Sequence, residues 1–333
     1  MTAAAQSTDR RISAIVPCYN AADFVERAVT RLLAQTGVEI EIVVVDDGST
    51  DATAEIARGL AERHPEVIFV ALKENGGVAA AREAAVAAAT ADYVWFVDAD
   101  DDWPDDAAAK LLSAAQRWGA DVVCAKATVV AEGRDPKPVG SLPDEATSSG
   151  HEAFRLLLTG RLTGHLWNKL FRRSLLDRID FTRIRQHSDQ AMVAQALAQA
   201  KIVAYAPHEV YRYILRGGSI IRSGSQRSDS LRSVQKIVAK SMAGIDATEL
   251  RGTDFLYYRA RYSILARLKD ATSGAYPDHQ RRALVKEARG EMSLAQWGAL
   301  LRRRDWTRLA LYTLGWISPP LYARTLDRFG GRI

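Results

Sequence analysis

The sequence predicts an α/β fold: a Rossmann-like sandwich around a mostly parallel central sheet, followed by a C-terminal α-helical region. Three observations predict it. Short apolar runs alternate with amphipathic helical patterns through about the first 130 residues, the signature of parallel β-α-β units. An unusual polar cluster follows each of the first four apolar runs, at the strand ends where such sheets bind ligands. Beyond residue 225 only helical patterning remains.

Element by element, ISAIV (12–16) reads as a buried strand that Pro17 ends, because proline lacks a backbone donor. Asp23 is placed to cap a helix whose apolar residues Phe24/Val25, Ala28/Val29 and Leu32/Leu33 recur at helical spacing. EIEIVVVD (39–46) is a second strand, with a helix from about Asp51. VIFVAL (67–72) is a third, with an alanine-rich helix after Gly77. YVWFV (93–97) is a fourth; in PDDAAAKLLSAAQRW (104–118), Pro104 suits the first helical position and puts Asp105 and Asp106 in the first turn. DVVCAKATVV (121–130) is a fifth strand. Next come a polar, proline-containing loop (131–149), a helix near 151–159, the run HLWNKLF, a helix near 188–200, and strand-like IVAY and EVYRYIL. RGGSIIRSGSQRSDS (216–230) reads as a linker or mobile lid.

Composition excludes several classes. The chain's net charge of +5 equals the excess of seven arginines over two aspartates within residues 301–333, so the rest is near neutral. That balance argues against nucleic acid as a partner and points to a basic C-terminal patch. The start, MTAAAQSTDRR, lacks the apolar core of a signal peptide, and no apolar run approaches the ~20 residues that span a bilayer. A cytoplasmic protein is expected. Cys18 and Cys124 make neither a zinc site nor a disulfide framework, and reduced, buried thiols are expected.

The clusters narrow the chemistry. After the first strand comes PCYN, where a dinucleotide-binding protein would carry GxGxxG; no GxxxxGK[ST] phosphate loop occurs anywhere. Tyr19 offers a flat ring and Asn20 an amide. DDGSTD (46–51) reads as a turn with caps, but two adjacent aspartates exceed what a turn needs, so one is assigned to a ligand. ENGGVAAAR allows close approach to backbone and places Arg82 in the following helix. VDADDDWPDD (97–106) concentrates six aspartates in nine positions. With Asp105 and Asp106 assigned to the helix start, Asp98, Asp100, Asp101 and Asp102 remain to seat a hard divalent cation, whose other ligands would be waters and phosphates.

IVPCYN, VVVDDGSTD, NGGVAAAR and FVDADD, in that order, with LWNKLFRRSLL (166–176), HSDQ (187–190) and YRYILRGGSI (211–220), resemble the inverting family 2 glycosyltransferases of the GT-A fold. The resemblance spans roughly residues 10–222. It implies a catalytic domain over 1–225, with a nucleotide-binding half (10–100) and an acceptor half (101–225), and a C-terminal helical region over 226–333. It implies that Pro17, Tyr19, Asp47 and Arg82 surround the nucleotide, that Asp98 touches ribose or metal, and that Asp100 coordinates Mn²⁺ or Mg²⁺. Arg216 and Ser219 fall where the family's lid covers the donor diphosphate. The family's base lies in a Glu-Asp pair that here reads Ser188-Asp189, so Asp189 is the expected base. His165, Trp167 and His187 are placed near the acceptor.

The implied reaction moves a sugar from a nucleoside-diphosphate sugar, UDP by family habit, to a glycan, teichoic acid or lipid-linked hydroxyl. A nucleotidyltransferase is a second reading, though PCYN does not resemble its glycine-rich loop. A sugar-nucleotide-binding scaffold without catalysis is a third. Trp297, Trp306, Tyr312, Trp316 and Tyr322 stand among the C-terminal arginines, a composition that suits either the anionic inner face of the cell membrane or packing on protein. Oligomeric state has no signature in the sequence.

Overall fold

The computed structural model describes residues 10–143, 146–216 and 226–329. The chain forms two units, divided after Arg216.

The first unit is built on a nine-stranded sheet. Its strands are β1 (Arg11–Cys18), β2 (Glu39–Asp46), β3 (Val67–Ala71), β4 (Tyr93–Phe96), β5 (Val122–Ala131), β6 (Lys137–Pro138), β7 (Thr147–Ser148), β8 (Lys169–Arg172) and β9 (Val203–Leu215). The order is β3-β2-β1-β4-β8-β5-β9-β7, with β6 on β5. The pairs β1–β2, β2–β3, β1–β4 and β5–β9 are parallel; α1 (Ala22–Leu33), α2 (Thr53–Arg63) and α3 (Val78–Ala88) are the crossovers that link β1 to β4 in chain order. Chain order reverses across β1 and β4, which opens a crevice at their carboxyl ends.

Burial explains why these segments are strands and helices. Ile12, Ala14, Val16 and Cys18 on one face of β1 pack with Val25, Ala28, Val29 and Leu32 of α1 and with Leu111 and Leu112 of α4 (Ala107–Trp118). Each such apolar side chain removed from water contributes about 1.5–3 kcal/mol.

Pro17 does not end the first strand; it pairs with Val45 inside β1. Ile15 accepts from Val97 on the β4 side, whereas Cys18 accepts from Asp47 on the β2 side. The groups of Pro17 therefore point to the β4 side, where β4 has already stopped, and the missing donor costs no ladder bond. Helix starts also differ from the sequence reading. Asp23 lies inside the first turn of α1 without capping it, and Asp105 and Asp106 precede α4. Asp51 does bond the start of α2, accepting from Thr53 N at 3.0 Å.

The element that departs most from a parallel sheet is β8. It runs antiparallel to both β4 and β5, with Trp95 opposite Leu170 and Tyr93 opposite Arg172. Its first residue therefore stands level with the end of β4, and residues 165–168 emerge at the ligand edge. Three helices complete the unit: α5 (Gly150–Thr159), closed by a Ser149/Glu152 capping box, α6 (Arg173–Leu176) and α7 (Ser188–Gln199).

The second unit is helical throughout its described residues. It contains α8 (Ser228–Asp246), a 3₁₀ turn (Ala247–Arg251), and α9 (Thr253–Tyr258), which continues through a π-helical stretch (Arg259–Leu265) into α10 (Ala266–Ala271). Then follow α11 (Asp278–Gly290), α12 (Leu294–Arg302), α13 (Trp306–Ile317) and α14 (Pro319–Phe329). Tyr257, Ile264, Leu268, Leu300, Tyr312 and Tyr322 form its core. Of the aromatics singled out in the sequence, Tyr312 and Tyr322 are thus core residues, and Trp297 and Trp316 pack against that core. Trp306 alone among them is largely exposed, at 62%. Among the described residues no helix is long and apolar enough to cross a membrane.

Candidate active site

The loops after β1, β2 and β3 are stitched together by side chains from the sequence clusters. Asn20, in the left-handed conformation that asparagine tolerates, donates its N–H to Ser49 Oγ at 2.9 Å and accepts from Thr50 N at 2.9 Å. Asp47 is buried and accepts from Gly76 N at 2.8 Å. Gly48 has φ +69°, and a Cβ there would lie 2.7 Å from Asn75 N, so only glycine lets the two turns touch. Pro17 and Asp47 thus form a rigid floor, from which the half-exposed Tyr19 ring projects.

The acidic stretch after β4 resolves into separate charges with separate partners. Asp101 is fully buried; it accepts from Tyr211 Oη and from Ile214 N, each at 2.9 Å. Burial, reinforced by the neighbouring Asp98 charge, pushes its pKa up to about 8. Asp102 pairs with Arg31 at 3.0 Å and Arg212 at 3.7 Å, and Asp106 with Lys110 at 2.8 Å. Arg27 donates to the carbonyls of Asp100 and Asp101 at 3.3 and 3.4 Å. These half-exposed ion pairs stabilise by roughly 0–1 kcal/mol each, so they fix the loop more than they strengthen the fold. Asp101 and Asp102 are thereby removed from the set expected to seat a cation. Their partners lie far away in sequence, although Arg27 and Arg31, one turn apart on the helix after β1, were a visible signal.

Asp98 and Asp100 remain at the crevice. Asp98 donates its backbone N–H to Tyr211 Oη at 2.9 Å, and its carboxylate lies 4.0 Å from Arg82 Nη2. Desolvation raises its pKa; Arg82 opposes this, whereas Asp100 and Asp189 add to it. Asp100 takes a 2.8 Å hydrogen bond from Arg216 Nη1, whose guanidinium lies 5.0 Å over the Phe24 ring. Ser219 lies outside the described residues.

Arg82 is not a solvated surface arginine. It is 7% exposed, donates through Nη1 to Ser188 Oγ at 3.3 Å, and its buried Nε has no hydrogen-bond partner among the described residues. It therefore joins the β4 loop to the start of α7. There His187 adopts φ +64°, a strained conformation for a bulky residue, and Asp189 occupies the first turn. Asp189 accepts from Gln190 N at 2.9 Å, and its other oxygen lies 3.6 Å from His165 Nδ1. Burial opposes ionisation of Asp189, but His165, Arg82 and the Gln190 N–H together outweigh it and bring the pKa to about 2.

Trp167 lies behind this edge. It is buried, stacks on His165 (4.6 Å between centroids) and on Tyr211 (4.7 Å), and so presents little free ring face to a sugar. Lys169, first residue of β8, is fully buried and donates to the His165 carbonyl at 2.6 Å and Asn168 Oδ1 at 2.9 Å. Desolvation lowers its pKa to about 8. Tyr211 is a support that the sequence did not single out.

The structure thus brings Asp98, Arg82, Ser188, Asp189 and His165 together, with Asp100 and Arg216 adjoining on the same strand end. Among the described residues no group of three or more carboxylate, imidazole or thiol ligands is arranged to hold a metal by itself.

Comparison with known proteins bears on family and fold. Residues 13–180 match the family model described as glycosyl transferase family 2. The chain is 31% identical over 273 residues to an uncharacterised glycosyltransferase of Nostoc sp., alr2836, covering 78% of this chain and 80% of that one. It is 31% identical over 221 residues to the succinoglycan biosynthesis protein ExoO of Rhizobium meliloti, covering 63% of this chain and 62% of the relative. The crystal structure of a Staphylococcus aureus TarS fragment in complex with UDP-GlcNAc superposes with a TM-score of 0.70 at 20% identity, over 97% of this chain and 92% of that chain, a likeness of fold. The fold is GT-A, and the chain belongs to glycosyl transferase family 2.

Proposed function

We propose that the protein transfers a sugar from a nucleoside-diphosphate sugar, with UDP as the nucleotide, to a hydroxyl of a glycan or lipid-linked acceptor by a single inverting displacement. The observation that carries this reading is that Arg82 lies 4.0 Å from the Asp98 carboxylate and donates to Ser188, the residue before Asp189, so that two carboxylates of opposite character stand around one buried guanidinium. Asp98, of raised pKa, and Asp189, of lowered pKa, come from distant parts of the chain to one strand edge. Pairs of titratable groups pushed apart by their surroundings mark acid and base assignments.

In this reading Tyr19 and Asp47 hold the base and ribose, and Arg82 and Arg216 face the diphosphate. Asp189 takes the acceptor proton as the acceptor oxygen attacks C1. The C1–O bond to the diphosphate breaks at the same time, and its electron pair leaves with the nucleotide. A base so placed contributes about 10²–10⁴-fold.

Asp98 and Asp100 fit a hard divalent ion. They are oxygen ligands two positions apart at the end of β4, and the Asp98 side chain keeps 37% of its surface open there. A third ligating group is lacking among the described residues, so waters and the donor diphosphate would complete the shell. When bound, Mn²⁺ or Mg²⁺ supplies positive charge to the leaving diphosphate.

The second unit supports attachment to an anionic membrane surface. Trp306, Ile317, Leu294, Leu301 and Leu321 are exposed there, beside exposed Arg302, Arg304 and Arg324.

The test is release of nucleoside diphosphate from a panel of nucleotide sugars with Mn²⁺ or Mg²⁺, for wild type and Asp189→Asn. Release by wild type, lost in Asp189→Asn with donor binding retained, is expected. Pyrophosphate as product, or an Asp189→Asn variant of full activity, would overturn the assignment.

A further inference from the structure

We propose that His165 is a positioning residue for Asp189: its imidazole fixes the rotation of the Asp189 carboxylate. The inference rests on reading Asp189 as the base.

The geometry is that of a built pair. One carboxylate oxygen of Asp189 is held by the Gln190 N–H at 2.9 Å, and the other faces His165 Nδ1 at 3.6 Å. A single hydrogen bond leaves a carboxylate free to turn about χ2; a second contact on the other oxygen removes that freedom. The imidazole is itself immobilised. Its ring stacks on Trp167, with 15° between planes, and Trp167 stacks in turn on Tyr211. Trp95 Nε1 donates to the Trp167 carbonyl at 2.8 Å, and Lys169 Nζ donates to the His165 carbonyl at 2.6 Å. A solvated surface histidine needs none of these supports, yet His165 keeps 41% of its side chain exposed at the edge where an acceptor would enter.

The charges around it give the contact a purpose. Arg82 favours the ionised form of both Asp98 and Asp189, so the base that His165 orients stays a carboxylate. Buried Lys169 adds positive charge behind His165. During transfer the acceptor proton passes to Asp189 while the acceptor oxygen bonds to C1; His165 forms and breaks no bond. Its contribution is to hold the base in the one orientation that meets the acceptor hydroxyl, where a misplacement of about 1 Å costs of order 10²-fold.

Two measurements on the full chain test this. Without any substrate, the ¹⁵N resonances of the His165 imidazole should move in Asp189→Asn; unmoved resonances overturn the contact. With a nucleotide sugar that turns over in the panel above, His165→Phe keeps a ring on Trp167 but loses the donor. Its kcat should fall roughly 10- to 100-fold with donor KM nearly unchanged. His165→Asn places an N–H near the position of Nδ1 and should recover most of that loss. Adding His165→Phe to Asp189→Asn should cost little more, because the two side chains act as one unit. Wild-type kcat in His165→Phe, with Asp189→Asn inactive, overturns this inference alone; full activity in Asp189→Asn overturns the base assignment and the inference with it.

Discussion

Arg216 donates to the Asp100 carboxylate at 2.8 Å while its guanidinium covers the Phe24 ring, so a protein cation already occupies the carboxylate proposed for the metal. A divalent ion must displace it or share the site. Both side chains are partly exposed, so after solvent screening the pair is worth about 1 kcal/mol at most, or roughly fivefold in an equilibrium. Arg216→Ala is expected to tighten Mn²⁺ binding to the donor-free protein by up to about that factor, read by the loss of the free-ion EPR signal. Unchanged or weaker Mn²⁺ binding would show that the two cations do not compete. With EDTA, turnover is expected to vanish and to return on adding Mn²⁺ or Mg²⁺.

Tyr211 carries the hydrogen bonds that pin the acidic loop. Its hydroxyl donates to Asp101 and accepts from Asp98 N. Tyr211→Phe keeps the stacking on Trp167 but leaves both groups without that partner, at an expected cost of about 1–3 kcal/mol. Urea unfolding checks the magnitude; a midpoint equal to wild type would mean that water replaces the hydroxyl at no cost.

Lys169 gives the fold an alkaline signature. Its pKa is lowered to about 8 in the fold, by burial first. In the unfolded chain it returns to about 10.4. The unfolded state then binds more protons across that window, so the lysine's contribution to stability is complete above the unfolded value and is lost as pH falls through 8. Relative to Lys169→Met, wild type should gain about 3 kcal/mol between pH 8 and 10.4, on the order-of-magnitude scale of 1.36 kcal/mol per unit. Chemical denaturation of both proteins across that range decides it; a constant difference would place the lysine charge elsewhere.

In the second unit, Trp306 and Ile317 are exposed apolar side chains in a stretch that also exposes Arg302, Arg304 and Arg324. The double variant Trp306→Glu, Ile317→Glu in the full chain should lose flotation with anionic vesicles, whereas wild type floats and is released by high salt. Equal behaviour of the two proteins would remove the membrane from the proposal.

Much of the first unit was legible because its signals are local. The runs that became β1 to β5 follow alternation of apolar and helical patterns, and turn chemistry at DDGSTD and ENGG marks their ends. The direction of β8 was not legible: KLFR has the same pattern whichever way it runs, and only its neighbours β4 and β5 fix it. Strands β6 and β7 have two residues each, too few for a period. In the site, the aspartates were conspicuous, but their division into buried, paired and free depends on Arg31, Tyr211, Arg212 and Arg216, which fold back from other elements. The burial of Lys169 leaves no trace in sequence, because its partners are one backbone carbonyl and one side-chain amide.

The two thiols have a practical use. Cys18 and Cys124 are free, buried, and pushed up to about 12 and about 11, chiefly by burial. Thiolate, the reactive form, is therefore scarce at neutral pH, and alkylating dyes should pass over both residues. A single cysteine introduced at an exposed position such as Trp118 would then take one fluorophore per molecule without deleting the native pair, giving a clean optical handle for following ligand arrival in the otherwise unaltered enzyme.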